Sequence, residues 1–151
     1  MHLCFVLLPD LTQLTQRALE KAVKEFPDLP KPKWKSQKKG DAQVVVDGLE
    51  IAVALLPAPV PDGEADHATE RSLSGLDGTW TLPEHRAHLA VVCTGDSKKK
   101  KRTAVEGLTL FTRVVAAVTR ATGAVGVYWG EASATHHPEF VVNIAQSELP
   151  L

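Results

Sequence analysis

The sequence predicts an α+β protein: a ferredoxin-like mixed or antiparallel sheet with helices packed mainly on one face. Three observations predict it. Short apolar runs of strand length alternate with longer segments of helical periodicity. An Asp47-Gly48 dipeptide between two apolar runs marks a hairpin, and so antiparallel pairing in mid-chain. The element order, β-α-β-β-(α)-β-α-β-α, sets two β-α-β halves around that hairpin. No internal repeat or linker interrupts the 151 residues, so they read as a single domain spanning 1–151, long enough for a core without metal or disulfide staples.

Residues 2–8 form a continuous apolar run, the mark of a strand buried on both faces. Asp10 is placed to cap a helix, with Gln13 at the capping-box position. Leu11, Leu14, Ala18, Ala22 and Phe26 then recur at helical spacing until Pro27 stops the element. Over 28–40 the chain turns basic and proline-rich, with Lys31, Lys33, Lys35, Lys38 and Lys39 around Trp34. That stretch reads as a solvated loop or edge strand whose lysines discourage pairing. Single-stranded nucleic acid, held by phosphate attraction and stacking on Trp34, is the competing reading. Residues 43–46 and 49–56 are the hairpin strands, and Pro57, Pro59 and Pro61 end the second. Asp62 is positioned to cap a short helix over 64–73, closed by Gly75 and Gly78, with Trp80 and Leu82 anchoring the loop beyond. A buried strand over 88–94 follows. The cations 98–102 are assigned to a loop, because positive charge is unfavourable at a helix N-terminus. The longest helix spans 103–122, with Val105, Leu108, Phe111, Val115 and Val118 as its apolar stripe and Gly123 as its stop. A strand over 124–129 and a final helix over 138–146, with Pro138 in its first turn and Phe140, Val141 and Ile144 facing inward, complete the chain.

Charge and cysteine usage narrow the function. A formal net charge of -1 gives no global attraction to nucleic acid or to an anionic membrane. Cys4 and Cys93 both lie in apolar runs, where thiols behave as small hydrophobes and not as a redox pair. The N-terminal apolar run is too short for a membrane span and lacks the flanks of a signal peptide, so the expected compartment is the cytoplasm.

No combination of side chains spells out a reaction. His85 and His88, with Glu84 beside them and His136-His137 distant, are the only metal-ligand spacing, but they sit at a strand entry where residues three apart diverge. No metal or cofactor is therefore expected. Glu131, Ser133 and His136 form a catalytic trio only on paper, without the Gly-x-Ser-x-Gly elbow. Gly123-Ala124-Val125-Gly126 precedes a strand and not a helix, which argues against a dinucleotide cradle. Two candidate sites remain. Asp62, Glu64, Asp66 and Glu70 make an acidic segment suited to a basic protein partner. Tyr128, Trp129, Thr135 and His136 cluster before the last helix and could line a pocket.

Three stretches together resemble a bacterial single-domain family of unknown function. They are Cys4-Phe5-Val6-Leu7-Leu8-Pro9, Leu56-Pro57-Ala58-Pro59-Val60-Pro61, and Ala124-Val125-Gly126-Val127-Tyr128-Trp129-Gly130 with Ala134-Thr135-His136. Some members of that family look like immunity proteins encoded near secreted antibacterial toxins. The resemblance implies a non-enzymatic, cytoplasmic binding protein whose partner is a cognate toxin. It supplies no catalytic residues. The alternative expectation is a small enzyme or ligand-binding domain with a pocket around Tyr128, Trp129, Thr135 and His136.

Overall fold

The structure is a computed structural model that describes residues 2–72, 80–97 and 102–147. It is α+β, built on one antiparallel sheet. In chain order the elements are β1 (Leu3–Leu8), α1 (Gln16–Val23), β2 (Lys33–Lys38), β3 (Asp41–Val46), β4 (Leu49–Leu56), α2 (Glu64–His67), β5 (Ala87–Asp96), α3 (Ala104–Thr122), β6 (Gly126–Trp129), β7 (Ala134–His136) and α4 (Pro138–Gln146). The seven strands lie in the order β2-β3-β4-β5-β1-β6-β7, and every pairing between them is antiparallel. The apolar run of β1 therefore sits deep in the sheet, with β5 on one side and β6 on the other.

Side chains alternate along β1, and each face has its own cluster. Cys4, Val6 and Leu8 join the larger one with Val114, Val115 and Val118 of α3, Leu19 and Val23 of α1, and Val141 and Val142 of α4. Leu7 points the other way, with Val60, Ala65, Ala68 and Tyr128. Helix α3 touches both α1 and α4 and is the ridge of the larger layer. Its N-terminus carries a capping box: Thr103 Oγ1 accepts from Glu106 N–H, and Glu106 Oε2 accepts from Thr103 N–H. Just before the cap, the Arg102 guanidinium meets Asp96 at 2.6 Å and Asp47 at 2.9 Å. Those carboxylates neutralise a cation that the helix dipole would otherwise disfavour, and tie α3 to the β3–β4 turn.

Local expectations and structure differ in specific places. Helix α1 starts at Gln16, capped by Thr15 Oγ1 and not by Asp10, and ends at Val23. Beyond it the chain keeps coiling through Phe26 on tighter i to i−3 bonds, which is why the apolar spacing continues. Leu11, expected on its buried stripe, is 63% exposed, and so is Val105 at 62% in the first turn of α3. In α4 the buried positions are Val141, Val142 and Ala145, while Phe140 and Ile144 are only half-buried. Asp47 and Gly48 both adopt positive φ (47° and 85°), as a type I′ hairpin requires. Lys39 and Gly40 do the same (29° and 93°) in a second turn, joining β2 to β3. Strand β2 lies at one edge of the sheet, so the centre of the basic stretch is an edge strand. The expected turn glycines Gly75 and Gly78, and the cations 98–101, lie outside the described residues.

Candidate binding surface

The Pro-rich stretch after β4 decides where the acidic segment goes. Pro57, Pro59 and Pro61 have no N–H, so only Ala58 and Val60 can donate from this backbone. The buried His85 and His88 hold it in place. His85 Nε2 accepts from Val60 N–H at 3.1 Å, and His88 Nδ1 donates to the Ala58 carbonyl at 2.7 Å. Burial lowers the pKa of His85, with Asp66 opposing and His88 reinforcing the shift. The neutral ring is also the form that can accept the Val60 N–H. These two histidines thus clamp backbone rather than converge on a metal, and no group of three potential ligands occurs among the described residues.

Delivered by that clamp, residues 61–71 fold as two 3-10 turns, Pro61–Gly63 and Ala68–Arg71, around the single turn of α2. Only Glu64–His67 of the helix expected over 64–73 is α-helical, and position 73 lies outside the described residues. Asp62 is not the cap. It has φ 60° inside the first 3-10 turn, and Gly63, also left-handed, is the residue that precedes α2.

Strand alternation divides the aromatic and polar residues of β6 and β7. Tyr128 and Thr135 are directly paired across the two strands and face the acidic segment. Tyr128 Oη donates to Glu64 Oε1, and Thr135 Oγ1 donates to the Ala65 carbonyl at 2.6 Å. Both side chains are buried, at 2% and 0% exposure. Burial, reinforced by the Glu64 carboxylate, holds the Tyr128 phenol above its ordinary pKa. Trp129 goes to the opposite layer, edge-on to Phe111 with ring centroids 5.6 Å apart. His136, paired with Val127 on β6, packs on Phe140 at 5.0 Å, with Nδ1 3.3 Å from Ser72 Oγ at the sheet edge. The four residues expected around one pocket therefore face two directions, because successive residues of a strand must. Instead, the buried Tyr128 and Thr135 hold the acidic segment from beneath, so half of one candidate site supports the other.

The paper trio of Glu131, Ser133 and His136 also disperses. Glu131 Oε1 lies 3.2 Å from His2 Nδ1 and 3.3 Å from Leu3 N–H, while His136 turns to Ser72. Gly126 has a packing role. A Cβ there would meet Leu82 Cδ1 at 2.5 Å and Leu7 Cδ1 at 3.2 Å, so the glycine lets the loop carrying Leu82 close over the sheet. Trp80, on the same loop, meets the His137 ring at 5.5 Å.

On this scaffold Asp62, Glu64, Asp66 and Glu70 are all exposed, within nine residues whose backbone is bonded to the sheet. Replacing Thr135 with Val keeps the shape but leaves the Ala65 carbonyl without its donor. The expected loss is about 1–3 kcal/mol, read by urea denaturation, with faster amide exchange confined to 62–71. An unchanged midpoint and unchanged exchange would mean that this bond does not anchor the segment.

Comparison with protein-family models, with curated proteins and with solved structures finds no match. Fold and surface together define the class: an α+β protein whose acidic, hydrogen-bonded segment lies against one end of an antiparallel sheet. No helix among the described residues is long and apolar enough to cross a membrane.

Proposed function

We propose that this chain is a non-enzymatic protein-binding module, an immunity protein that neutralises a cognate bacterial toxin by covering a basic surface on it. The observation that carries the reading is the display of Asp62, Asp66 and Glu70 on a segment fixed by bonds from the buried Tyr128 and Thr135. A preformed acidic surface binds without an ordering penalty, and its charge steers encounter with a cationic partner. Three polar groups that are candidates for chemistry have structural partners: His85 and His88 clamp the Pro-rich stretch, and Glu131 meets the N-terminal strand. A ligand pocket around Tyr128, Trp129, Thr135 and His136 draws less support, since their side chains divide between the two faces. The resemblance to a family with immunity-protein members points the same way, and on this reading the chain works in the cytoplasm.

The same reading assigns a ferredoxin-like core to β1-α1-β4-β5-α3-β6, supported by the neighbour order β4-β5-β1-β6 and by α1, α3 and α4 sharing one apolar layer. The β2–β3 hairpin is then an insertion, and β7 an added edge.

The test is co-expression with the product of the neighbouring gene, followed by co-purification and a growth-protection assay. A stable complex and rescued growth are expected. Asp66→Lys with Glu70→Lys should weaken the complex about 10- to 100-fold, mainly through slower association, while circular dichroism stays unchanged. No complex and no protection would reject the proposal. Full affinity in the doubly reversed variant would move the contact elsewhere.

A further inference from the structure

We infer that β2 is a docking edge for an extended acidic segment of another protein, separate from the acidic surface at the far end of the sheet. The two sheet edges are treated differently. At one end β7 has the 3-10 turn Ala68–Arg71 packed beside it, and its Thr135 and His136 side chains bond to Ala65 and Ser72 of the same segment. At the other, β2 pairs only with β3, so its outward N–H and C=O groups have no partner strand, and five of its six residues are exposed. An open edge of this kind is a template for one more strand.

Charge selects what can use it. Residues 29–40 hold five lysines, Lys31, Lys33, Lys35, Lys38 and Lys39, and no Asp or Glu. Among the described residues none of these lysines has a carboxylate within ion-pair distance, whereas Arg86, Arg102 and Arg120 are all paired. These five lysines thus place uncompensated positive charge on and beside β2, an open edge strand among the described residues. Antiparallel pairing of two β2 strands from separate copies would bring lysines face to face, which is destabilising. The same lysines favour a strand rich in Asp and Glu. Nucleic acid fits the geometry less well. Trp34, the one aromatic available for stacking, is half-buried against the core, and bases cannot use the ladder of backbone groups.

The experiment uses the full chain and four labelled probes in fluorescence anisotropy. They are a ten-residue peptide alternating Glu with Val and Thr, the same peptide N-methylated at every second amide, its Lys-for-Glu counterpart, and a twelve-residue oligothymidylate. The acidic peptide is expected to bind, with N-methylation and Lys replacement each weakening it at least about tenfold. Amide exchange of Lys33–Lys38 should slow on binding. Lys33→Glu with Lys35→Glu and Lys38→Glu, all exposed positions checked by circular dichroism, should transfer the preference to the Lys peptide. Equal binding of the N-methylated peptide, tighter binding of the oligonucleotide, or no exchange protection in β2 would each overturn the proposal. None of these outcomes depends on whether the acidic surface binds a toxin.

Discussion

Replacing Phe111 with Ala is expected to destabilise the protein by about 3–5 kcal/mol, the largest loss at any single position considered. The ring is 0% exposed and joins three parts of the molecule: α3 itself, Trp129 of β6 at 5.6 Å, and His2 at the start of β1 at 5.5 Å. Its edge-on arrangement with Trp129 contributes beyond buried area alone. Around it, Val114, Val115 and Leu110 are held on a helix capped at both ends, by Thr103 and by Gly123 at φ 63°. They cannot slide in to fill the void, so the cavity stays open. Phe111→Leu should cost much less, about 1–2 kcal/mol, because most of the volume is kept. Val105→Ala, on the same helix but 62% exposed, should fall within about 0.5 kcal/mol of the parent. Urea titrations followed by far-UV circular dichroism distinguish the three. A loss below about 1 kcal/mol for Phe111→Ala would mean that the layer between α3 and the sheet is not the main core.

The same residues show why some of the fold can be read from sequence and some cannot. Helix α3 is legible because its buried positions outnumber its exposed ones over five turns, and Gly123 ends it in the only conformation that favours glycine. The β3–β4 hairpin is legible because Asp47-Gly48 matches the turn it makes. Strand β2 is not. Its sequence, Lys-Trp-Lys-Ser-Gln-Lys, has a single apolar residue and no buried face, since an edge strand needs only Trp34 to seal the core beneath it. Strand β7 has three residues, too few for any period to register. Legibility fails differently at the candidate surface. Glu64 and Tyr128 are 64 positions apart, and their contact exists because sheet order brings β6 beneath the segment that follows β4. Both groups were visible as candidates, but nothing local could join them. The histidine clamp did leave a usable signal: a stretch with alternate N–H groups missing must be held by something other than a strand ladder, and His85 and His88 are the buried polar residues closest to doing so.

Acid should loosen this end of the molecule, and His136 is the group through which the effect is clearest. Its ring is 5% exposed, packed on Phe140 and bonded at the edge to Ser72. Burial lowers its pKa from 6.5 to about 4. Because the folded value lies below the unfolded one, protons favour the unfolded chain. The full stability is present above about pH 6.5 and is lost as the pH falls towards 4. That gap corresponds to about 3 kcal/mol when fully developed. Burial shifts His85 in the same direction. The wild-type curve alone therefore does not isolate His136 from the rest of the molecule. The difference from His136→Gln does, since Gln keeps a polar partner for Ser72 and cannot titrate. Between pH 7 and pH 4.5 the parent should lose about 2–3 kcal/mol more than the variant in urea titrations. Parallel curves would show that His136 is free to protonate in the fold. Because His136 and Thr135 are adjacent in β7, and Thr135 anchors the acidic segment through Ala65, the same acid step should release residues 62–71 before the core gives way. Their amides should then exchange faster at pH 4.5 than at pH 7, after correction for intrinsic rates, while those of β1 do not.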